Sequence, residues 1–300
     1  MPAALNPADL LALNDADLRS RAAALRRAHQ PARTACAVVS AKAGHCSEDC
    51  SFCAQSRHHR AAVTRHALLS PAALLEKAQA AELAGARRFG LVTSGLRLSA
   101  DEFAQVCVAV EMIRAATGLK VCASLGLLNE ARAARLRAAG LSRYHHNLET
   151  AASFFAQVCT THRYEQNLAT VRSARAAGLE TCCGGIFGLG ESWAQRLELG
   201  LSLNELGIDA IPVNFLNPRP GTPLAGRSLL PPPEALRIIA LMRGLNPTCE
   251  LIVAGGRPQV LGARQAEVFD WGASAIMIGD YLTTPGADLS FDRRLLGLAD

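Results

Sequence analysis

Three cysteines lie close together in the segment GHCSEDCSFCAQS: Cys46, Cys50 and Cys53. Three thiolates can hold a [4Fe–4S] cluster and leave one iron open to a ligand from outside the protein. A structural zinc site normally uses four protein ligands. The fourth ligand would then come from one of the neighbouring histidines, which are His45, His58 and His59. A zinc site and three unconnected surface thiols therefore stay open as alternatives on spacing alone.

Apolar strands alternate with Ala/Leu-rich helices from about residue 34 onward. The strand segments are predicted at residues 34–41, 88–94, 120–125, 143–149, 181–187, 209–216, 249–255 and 273–279. Eight βα units predict a closed (β/α)₈ TIM-type barrel, in which reactive groups lie on the loops after the strands. The alternative is a doubly wound open sheet, but no glycine-rich dinucleotide loop follows the first strand. The three-cysteine loop does follow that strand, so we expect it on the functional face.

The first 33 residues are predicted to form an N-terminal helical extension, and residues 34–300 the barrel domain. Asp15 is suited to the start of a helix, and Leu18 and Leu25 lie seven positions apart on one of its faces. The segment QPA then ends the helical pattern.

The charge balance is mildly basic, with 31 Lys and Arg against 26 Asp and Glu. This balance argues against nucleic acid as a partner and suits an anionic small molecule. No apolar run is long enough for a membrane span, and the N-terminus lacks a secretory pattern, so a cytoplasmic location without membrane contact is expected. In that reducing compartment the 10 cysteines are interpreted as packing residues, metal ligands or reactive thiols rather than as disulfides.

The cysteine motif, with Phe52 before its last cysteine, resembles that of the radical S-adenosylmethionine enzymes. Longer strings are similar to those of the biotin synthase family within that group. These strings are CSEDCSFCAQS at 46–56, YHHNLET at 144–150, CCGGIFGLGE at 182–191 and IPVNFLNPRPGTPL at 211–224. The resemblance extends over about residues 30–290, with the motifs in the order of the family.

The resemblance implies a [4Fe–4S] cluster on Cys46, Cys50 and Cys53 whose open iron is chelated by S-adenosylmethionine. Reductive cleavage of that cosubstrate yields a 5′-deoxyadenosyl radical, which abstracts hydrogen from unactivated carbons. It implies that Glu149 binds the ribose hydroxyls, since a carboxylate accepts two hydrogen bonds well. The remaining positions matched to cofactor binding are Gly184, Ile186, Gly188 and Arg88.

The resemblance also implies dethiobiotin as the substrate, converted to biotin by sulfur insertion. Asn147 and Asn214 match positions that bind its ureido ring, and an asparagine amide offers the complementary donor and acceptor. A low-potential electron donor protein and a homodimer are implied by the resemblance alone.

An auxiliary cluster in the barrel, commonly [2Fe–2S], is the sulfur source that the resemblance implies. Cys122 and Cys182 match two of its ligands, whereas the usual cysteine and arginine are replaced at Gly90 and, by our alignment, Leu251. Cys36 and Cys249 lie at strand positions whose side chains can face the barrel interior, so either could replace a missing ligand. A larger cluster would fit such a set of thiolates. Cys107 and Cys159 are interpreted as packing residues.

Two other functions are weighed against a biotin synthase. A related radical enzyme with another substrate is disfavoured by Asn147 and Asn214 in their family strings. A non-catalytic iron–sulfur or zinc-binding barrel would need neither Glu149 nor the glycine-rich segment at 184–188.

Overall fold

The computed structural model describes residues 6–298, in which strands and helices alternate along most of the chain. The strands are Thr34–Lys42 (β1), Arg88–Thr93 (β2), Lys120–Ser124 (β3), Arg143–His145 (β4), Glu180–Cys182 (β5), Gly185–Phe187 (β6), Ala210–Phe215 (β7), Glu250–Val253 (β8) and Ala275–Met277 (β9). The helices are Pro7–Ala12 (α1), Asp15–His29 (α2), Pro71–Leu83 (α3), Ala100–Ala116 (α4), Glu130–Ala138 (α5), Ala152–Phe155 (α6), Tyr164–Ala176 (α7), Trp193–Glu205 (α8), Pro232–Leu245 (α9), Arg257–Leu261 (α10) and Leu289–Leu296 (α11), with a 3₁₀ helix at Gly262–Glu267.

The strands form one closed parallel barrel. Neighbouring strands follow the order β5-β4-β3-β2-β1-β9-β8-β7-β6, and β5 also pairs with β7, where Cys182 lies opposite Ala210. The predicted (β/α)₈ fold is thereby confirmed and the open sheet is excluded. The predicted strand at 181–187 is split into β5 and β6. Gly184 lies at the break, where a Cβ atom would be 2.1 Å from the carbonyl oxygen of Pro212.

Side chains of each strand alternate between the barrel interior and the outer layer of helices. The interior apolar cluster consists of Cys36, Cys182, Ala210, Ile252 and Ala275. A larger core fills the space between strands and helices, with members such as Phe89, Val121 and Leu251. This alternation decides which cysteines reach the interior.

The helical extension packs against the barrel wall at α9. Leu10 and Leu18 are buried in the same core as the α9 side chains. Nη1 of Arg237, on α9, lies 2.6 Å from a carboxylate oxygen of Asp15. Strand β1 begins at Thr34, which is the first residue of the predicted barrel domain.

Local signals explain where the outer helices begin. The longest, α4, has 17 residues and starts with a capping box, in which Ser99 and Glu102 each bond the backbone N–H of the other. Ser192 and Gln195 form the same arrangement at the start of α8. Within residues 6–298, no helix combines the length and the hydrophobicity that a membrane crossing requires.

Candidate functional site

A cavity of about 450 Å³ lies inside the barrel, beneath the loop that follows β1. Ten of the residues singled out from the sequence line it, although they come from distant parts of the chain. They are Cys36, Cys46, Cys53, Arg88, Cys122, Asn147, Glu149, Cys182, Ile186 and Asn214. The cavity is therefore the candidate site, with the cysteine loop at one end and the interior thiols at the other.

Backbone hydrogen bonds fix the cysteine loop. The N–H of Cys46 donates to the carbonyl of Gln55 at 3.0 Å, and the N–H of Cys53 donates to the carbonyl of Cys50 at 2.9 Å. His45 has a φ of 53°, in the left-handed region that non-glycine residues rarely adopt. The loop thus holds Cys46 and Cys53 at the cavity wall.

The rings of His58 and His59 bond to backbone carbonyl groups of the cysteine loop. Nε2 of His58 lies 2.8 Å from the carbonyl oxygen of Ser47, and Nδ1 of His59 lies 2.8 Å from that of Cys53. Each ring therefore has a backbone partner. This arrangement disfavours the zinc alternative.

Cys50 faces a polar group that the sequence reading missed. Its thiol, that of Cys159 and a ring nitrogen of His162 all lie within 4.8 Å of one another. The Cys159 thiol lies 3.2 Å from Nδ1 of His162 and also contacts Asp49. Cys159 is buried in the core, as a packing residue would be, but its side chain also has polar partners that this interpretation did not include. The available signal was the polar string TTH that follows it.

The charges of this group follow from its contacts in the cluster-free state. The hydrogen bond with Cys159, together with burial, raises the pKa of Cys50. The same hydrogen bond with Cys50 is the main cause of the shift of Cys159, whose pKa is lowered to about 4. Burial lowers the pKa of His162, but Cys159 and Glu48 outweigh it and raise that pKa to about 9. These opposite shifts favour a thiolate at Cys159 and an imidazolium at His162, next to Cys50.

Glu149 carries both backbone strain and an unusual carboxyl group. Its φ is 68°, a left-handed conformation that is uncommon outside glycine and clusters at functional sites. Burial raises its pKa to about 7, although a hydrogen bond from Asn147 opposes the shift. The distance from Nδ2 of Asn147 to Oε2 of Glu149 is 3.3 Å.

Two asparagine amides are anchored beside this carboxylate on adjacent glycines. Oδ1 of Asn147 accepts from the N–H of Gly184 at 3.2 Å, and Nδ2 of Asn214 donates to the carbonyl of Gly185 at 3.2 Å. Oδ1 of Asn214 also accepts from the N–H of Gly255 at 3.0 Å. Each side chain retains an N–H and an oxygen lone pair for a ligand.

The glycines matched to cofactor binding lie behind the cavity rather than on its wall. Gly184 allows close contact with Pro212, as described above. Gly188 has a φ of 94°, and its N–H donates to Oε1 of Glu191 at 2.9 Å. Ile186 lines the cavity between these two positions. The glycines thus shape the strand that presents Ile186.

The interior end of the cavity combines thiols with arginines. Cys36, Cys122 and Cys182 line it together with Arg88 and Arg143. Burial raises the pKa of all three thiols, in Cys182 to about 12, while Arg143 opposes the shift. The buried Nη1 atom of Arg88 has no hydrogen-bond partner within the described residues. The site therefore holds positive charge beside groups that can become thiolates.

Carboxylates hold the two guanidinium groups in place. Nη1 of Arg143 lies 2.6 Å from Oε2 of Glu250, and its Nη2 lies 2.8 Å from Oε2 of Glu180. Nη2 of Arg88 contacts the same Glu180 oxygen at 2.8 Å. Arg143 was not singled out from the sequence, since its neighbours are brought together only by barrel closure.

The parity argument for Cys249 is corrected by the structure. Its thiol donates to the carbonyl oxygen of Ile208 at 2.7 Å and lies in the outer core. Leu251 faces the same outer layer, whereas Ile252 points into the barrel. The interior position of this strand is therefore Ile252, one residue after the predicted Leu251. Cys249, which shares the face of Leu251, does not reach the cavity.

Two family models together match most of the chain. The Radical SAM superfamily model matches residues 42–201. The model of the Biotin and Thiamin Synthesis associated domain matches residues 212–299. The first match includes the cysteine loop and Glu149, and the second includes Asn214.

Solved structures of low sequence identity share the fold. Methylornithine synthase (PylB) superposes with a TM-score of 0.83 at 19% identity, covering 99% of this chain and 94% of that protein. The FeFe-hydrogenase maturase HydG from Carboxydothermus hydrogenoformans gives a TM-score of 0.80 at 18% identity, covering 96% of this chain and 73% of that protein. At these identities the likeness concerns the fold alone.

Curated relatives are much closer in sequence. The biotin synthase of Nitratidesulfovibrio vulgaris (strain Miyazaki F) is 52% identical, with 98% of this chain and 83% of the relative covered. The biotin synthase of Syntrophus aciditrophicus is 53% identical, with 87% of this chain and 80% of the relative covered. At these identities, and with the cysteine loop, the Glu149 carboxylate and the two asparagines around one cavity, the chain belongs to the biotin synthase family of radical S-adenosylmethionine enzymes.

Proposed function

We propose that this chain converts dethiobiotin to biotin, with S-adenosylmethionine bound at the end of the barrel cavity next to the cysteine loop. The observation that carries the proposal is the convergence of Cys46, Cys53, Glu149, Asn147 and Asn214 on one cavity. The family membership gives this convergence its chemistry. The likeness to methylornithine synthase and to the maturase concerns only the fold, so it does not favour those substrates.

Cys46, Cys50 and Cys53 are the proposed ligands of the [4Fe–4S] cluster. The donor set fits, because three thiols on one short loop leave one iron for the cosubstrate. When bound, the cluster would supply the electron that cleaves S-adenosylmethionine. Burial raises the pKa of Cys53 to about 11, so cluster binding must release protons from the loop.

Glu149 is the proposed acceptor for the ribose hydroxyls of S-adenosylmethionine. Its strained backbone holds the carboxylate at the cavity wall, and the N–H of Ile186 fixes the Glu149 carbonyl at 2.8 Å. Ile186, supported by Gly184 and Gly188, offers an apolar surface on which an adenine ring can lie. Arg88 lies deeper, so we assign it to the auxiliary site rather than to the cosubstrate.

Asn147 and Asn214 are the proposed partners of the ureido ring of dethiobiotin. A cyclic urea has one carbonyl acceptor and two N–H donors, which match the free amide positions of these side chains. Their anchors on Gly184 and Gly185 fix both amides before substrate arrives. Preorganisation of this kind reduces the entropy lost on binding.

An auxiliary iron–sulfur cluster is the proposed sulfur source at the interior end of the cavity. Cys122 and Cys182 are its proposed ligands, and Cys36 completes a set of three thiols. Nη1 of Arg88, which has no hydrogen-bond partner among residues 6–298, and the nearby Arg143 support an anionic occupant, since they would offset its charge. Three thiols suit a [2Fe–2S] cluster or a larger one.

A low-potential electron donor protein and a homodimer complete the proposal, both supported by family membership. Light scattering on the purified chain tests the dimer. A mass of about twice 31.7 kDa is expected, and a monomer at micromolar concentration would contradict it.

The substrate proposal is tested by the effect of dethiobiotin on cleavage of S-adenosylmethionine. Dethiobiotin should stimulate 5′-deoxyadenosine formation, and Asn214→Ala should weaken its apparent affinity by roughly ten- to hundredfold. This range corresponds to the 1–3 kcal/mol cost of an unpaired buried polar group. An enzyme that cleaves the cosubstrate but ignores dethiobiotin would favour a related radical enzyme with another substrate.

A further inference from the structure

One side chain at the interior end of the cavity contacts a proposed cluster ligand but has no role in the function described so far. Nδ1 of His145 lies 3.3 Å from Sγ of Cys182. The two residues lie opposite each other in register on the parallel strands β4 and β5. The imidazole also lines the cavity shared by Cys36 and Cys122.

We propose that His145 is a positioning residue of the auxiliary site, whose Nδ1–H donates a hydrogen bond to the Cys182 thiolate. The inference rests on the auxiliary cluster of the proposed function. Hydrogen bonds to cluster sulfurs help to set the reduction potential, because they stabilise the more negative reduced state. His145 therefore raises the potential of the auxiliary cluster and fixes the orientation of its Cys182 ligand.

Other cations near Cys182 do not replace this contact. Arg143 directs its donors to Glu180 and Glu250, at 2.6 to 3.0 Å. Within the described part of the chain, His145 is the hydrogen-bond partner of the Cys182 thiol. The arginine supplies charge to the site, whereas the histidine supplies a directed N–H donor.

The next residue provides a matched control. His146 is also half-buried, but successive strand residues face opposite sides, and its Nε2 lies 3.0 Å from Oδ1 of Asn167 on α7. Its backbone N–H donates to the carbonyl oxygen of Cys182 at 3.0 Å, and a substitution keeps that bond. Replacement of His146 thus removes a similar, outward-facing ring just after β4 and leaves the side-chain contact of Cys182 in place.

The test is a redox titration of the auxiliary cluster, followed by electron paramagnetic resonance. It uses the full chain with Cys46, Cys50 and Cys53 changed to Ala and reconstituted anaerobically, so that only auxiliary iron is observed. His145→Leu should shift the midpoint potential to more negative values. His145→Asn should return the potential most of the way to that of the protein with His145, because its Nδ2 is as many bonds from Cβ as Nδ1 of histidine. His146→Leu should leave the potential unchanged.

A second measurement needs no substitution at the histidine. With ¹⁵N-labelled histidine, pulsed resonance of the same cysteine variant should show a weak nitrogen coupling, as expected of a hydrogen-bonded ring. A strong coupling, typical of an iron ligand, would overturn the donor role. An unchanged potential in His145→Leu, in a protein that holds the cluster, would also overturn it. Absence of residual iron before any change at His145 would instead remove the auxiliary site itself, and this inference with it.

Discussion

The amide oxygen of Asn147 accepts a hydrogen bond from the N–H of Gly184 at 3.2 Å, so a proposed substrate-binding side chain is held by the break between β5 and β6. Any side chain at position 184 would meet the carbonyl oxygen of Pro212, 2.1 Å from its Cβ. The geometry of the substrate amide therefore depends on a residue without a side chain.

Gly184→Ala should destabilise the protein and misplace Asn147. Overpacking against backbone costs about 1–3 kcal/mol, which urea unfolding of the cluster-free protein would detect. Gly226→Ala is the matched control, since no atom of residues 6–298 lies within 4 Å of a Cβ at that position. Equal stability of the two variants would show that the break tolerates a side chain.

Binding of S-adenosylmethionine should weaken as the pH falls through about 7. Burial raises the pKa of Glu149 to about 7, so the carboxyl is protonated below that pH and cannot accept from both ribose hydroxyls. The affinity should fall by up to roughly tenfold per pH unit well below the pKa. Equilibrium binding between pH 5.5 and 8.5 measures it, in buffers that keep the cluster intact.

Glu149→Gln is the control for the pH dependence. Its amide does not titrate, so its weaker affinity should be flat over the same range. A wild-type affinity that is equally flat would mean that the Glu149 carboxylate does not bind the ligand.

The pair of Cys159 and His162 should give the cluster-free protein a distinct stability profile. Their pKa values are about 4 and 9 in the folded state, against ordinary values of 9.0 and 6.5. Between pH 4 and 6.5 the unfolded chain binds one more proton on this pair than the folded chain, so their contribution to stability rises with pH. Between pH 6.5 and 9 both states bind one proton, and the contribution is constant.

A double variant, Cys159→Ala with His162→Ala, checks this profile. The difference in unfolding free energy between wild type and the double variant should grow from pH 4 to 6.5 and then level off. Urea unfolding at several pH values in the presence of a thiol reductant measures it. A difference that is constant from pH 4 to 9 would contradict the ion pair.

Two buried cysteines distinguish the auxiliary site from ordinary packing. In protein that lacks the cysteine-loop ligands, Cys36→Ala should reduce residual iron and sulfide after reconstitution, because Cys36 lines the cavity. Cys249→Ala should leave them unchanged, because its thiol bonds to Ile208 in the outer core. Elemental analysis of both variants decides, and a loss of iron confined to Cys249→Ala would reverse the assignment.

The parts of the site that could be predicted from the sequence lie close together along the chain. The cysteine loop and the strand that precedes it are one short segment, so barrel topology places Cys46 and Cys53 at the functional end. Asn147 and Glu149 follow β4 in the same way. The barrel itself was predicted from the regular alternation of strands and helices, and it is confirmed.

Contacts between distant segments could not be read in this way. Cys159 meets Cys50 across more than 100 positions, and Arg143 meets Glu250 across 107. The predicted interior position of Cys249 was wrong for a different reason. The face on which a strand residue lies depends on the register, and an error of one residue reverses it. His145 was passed over because its role depends on the pairing of β4 with β5.

The most direct test of the function is an anaerobic assay that measures biotin and 5′-deoxyadenosine in one reaction. The reconstituted enzyme receives dethiobiotin, S-adenosylmethionine and a low-potential reductant. Both products are expected from the wild-type chain, and neither from the variant with Cys46, Cys50 and Cys53 changed to Ala. 5′-Deoxyadenosine without biotin, from wild-type protein with its iron sites filled, would contradict it.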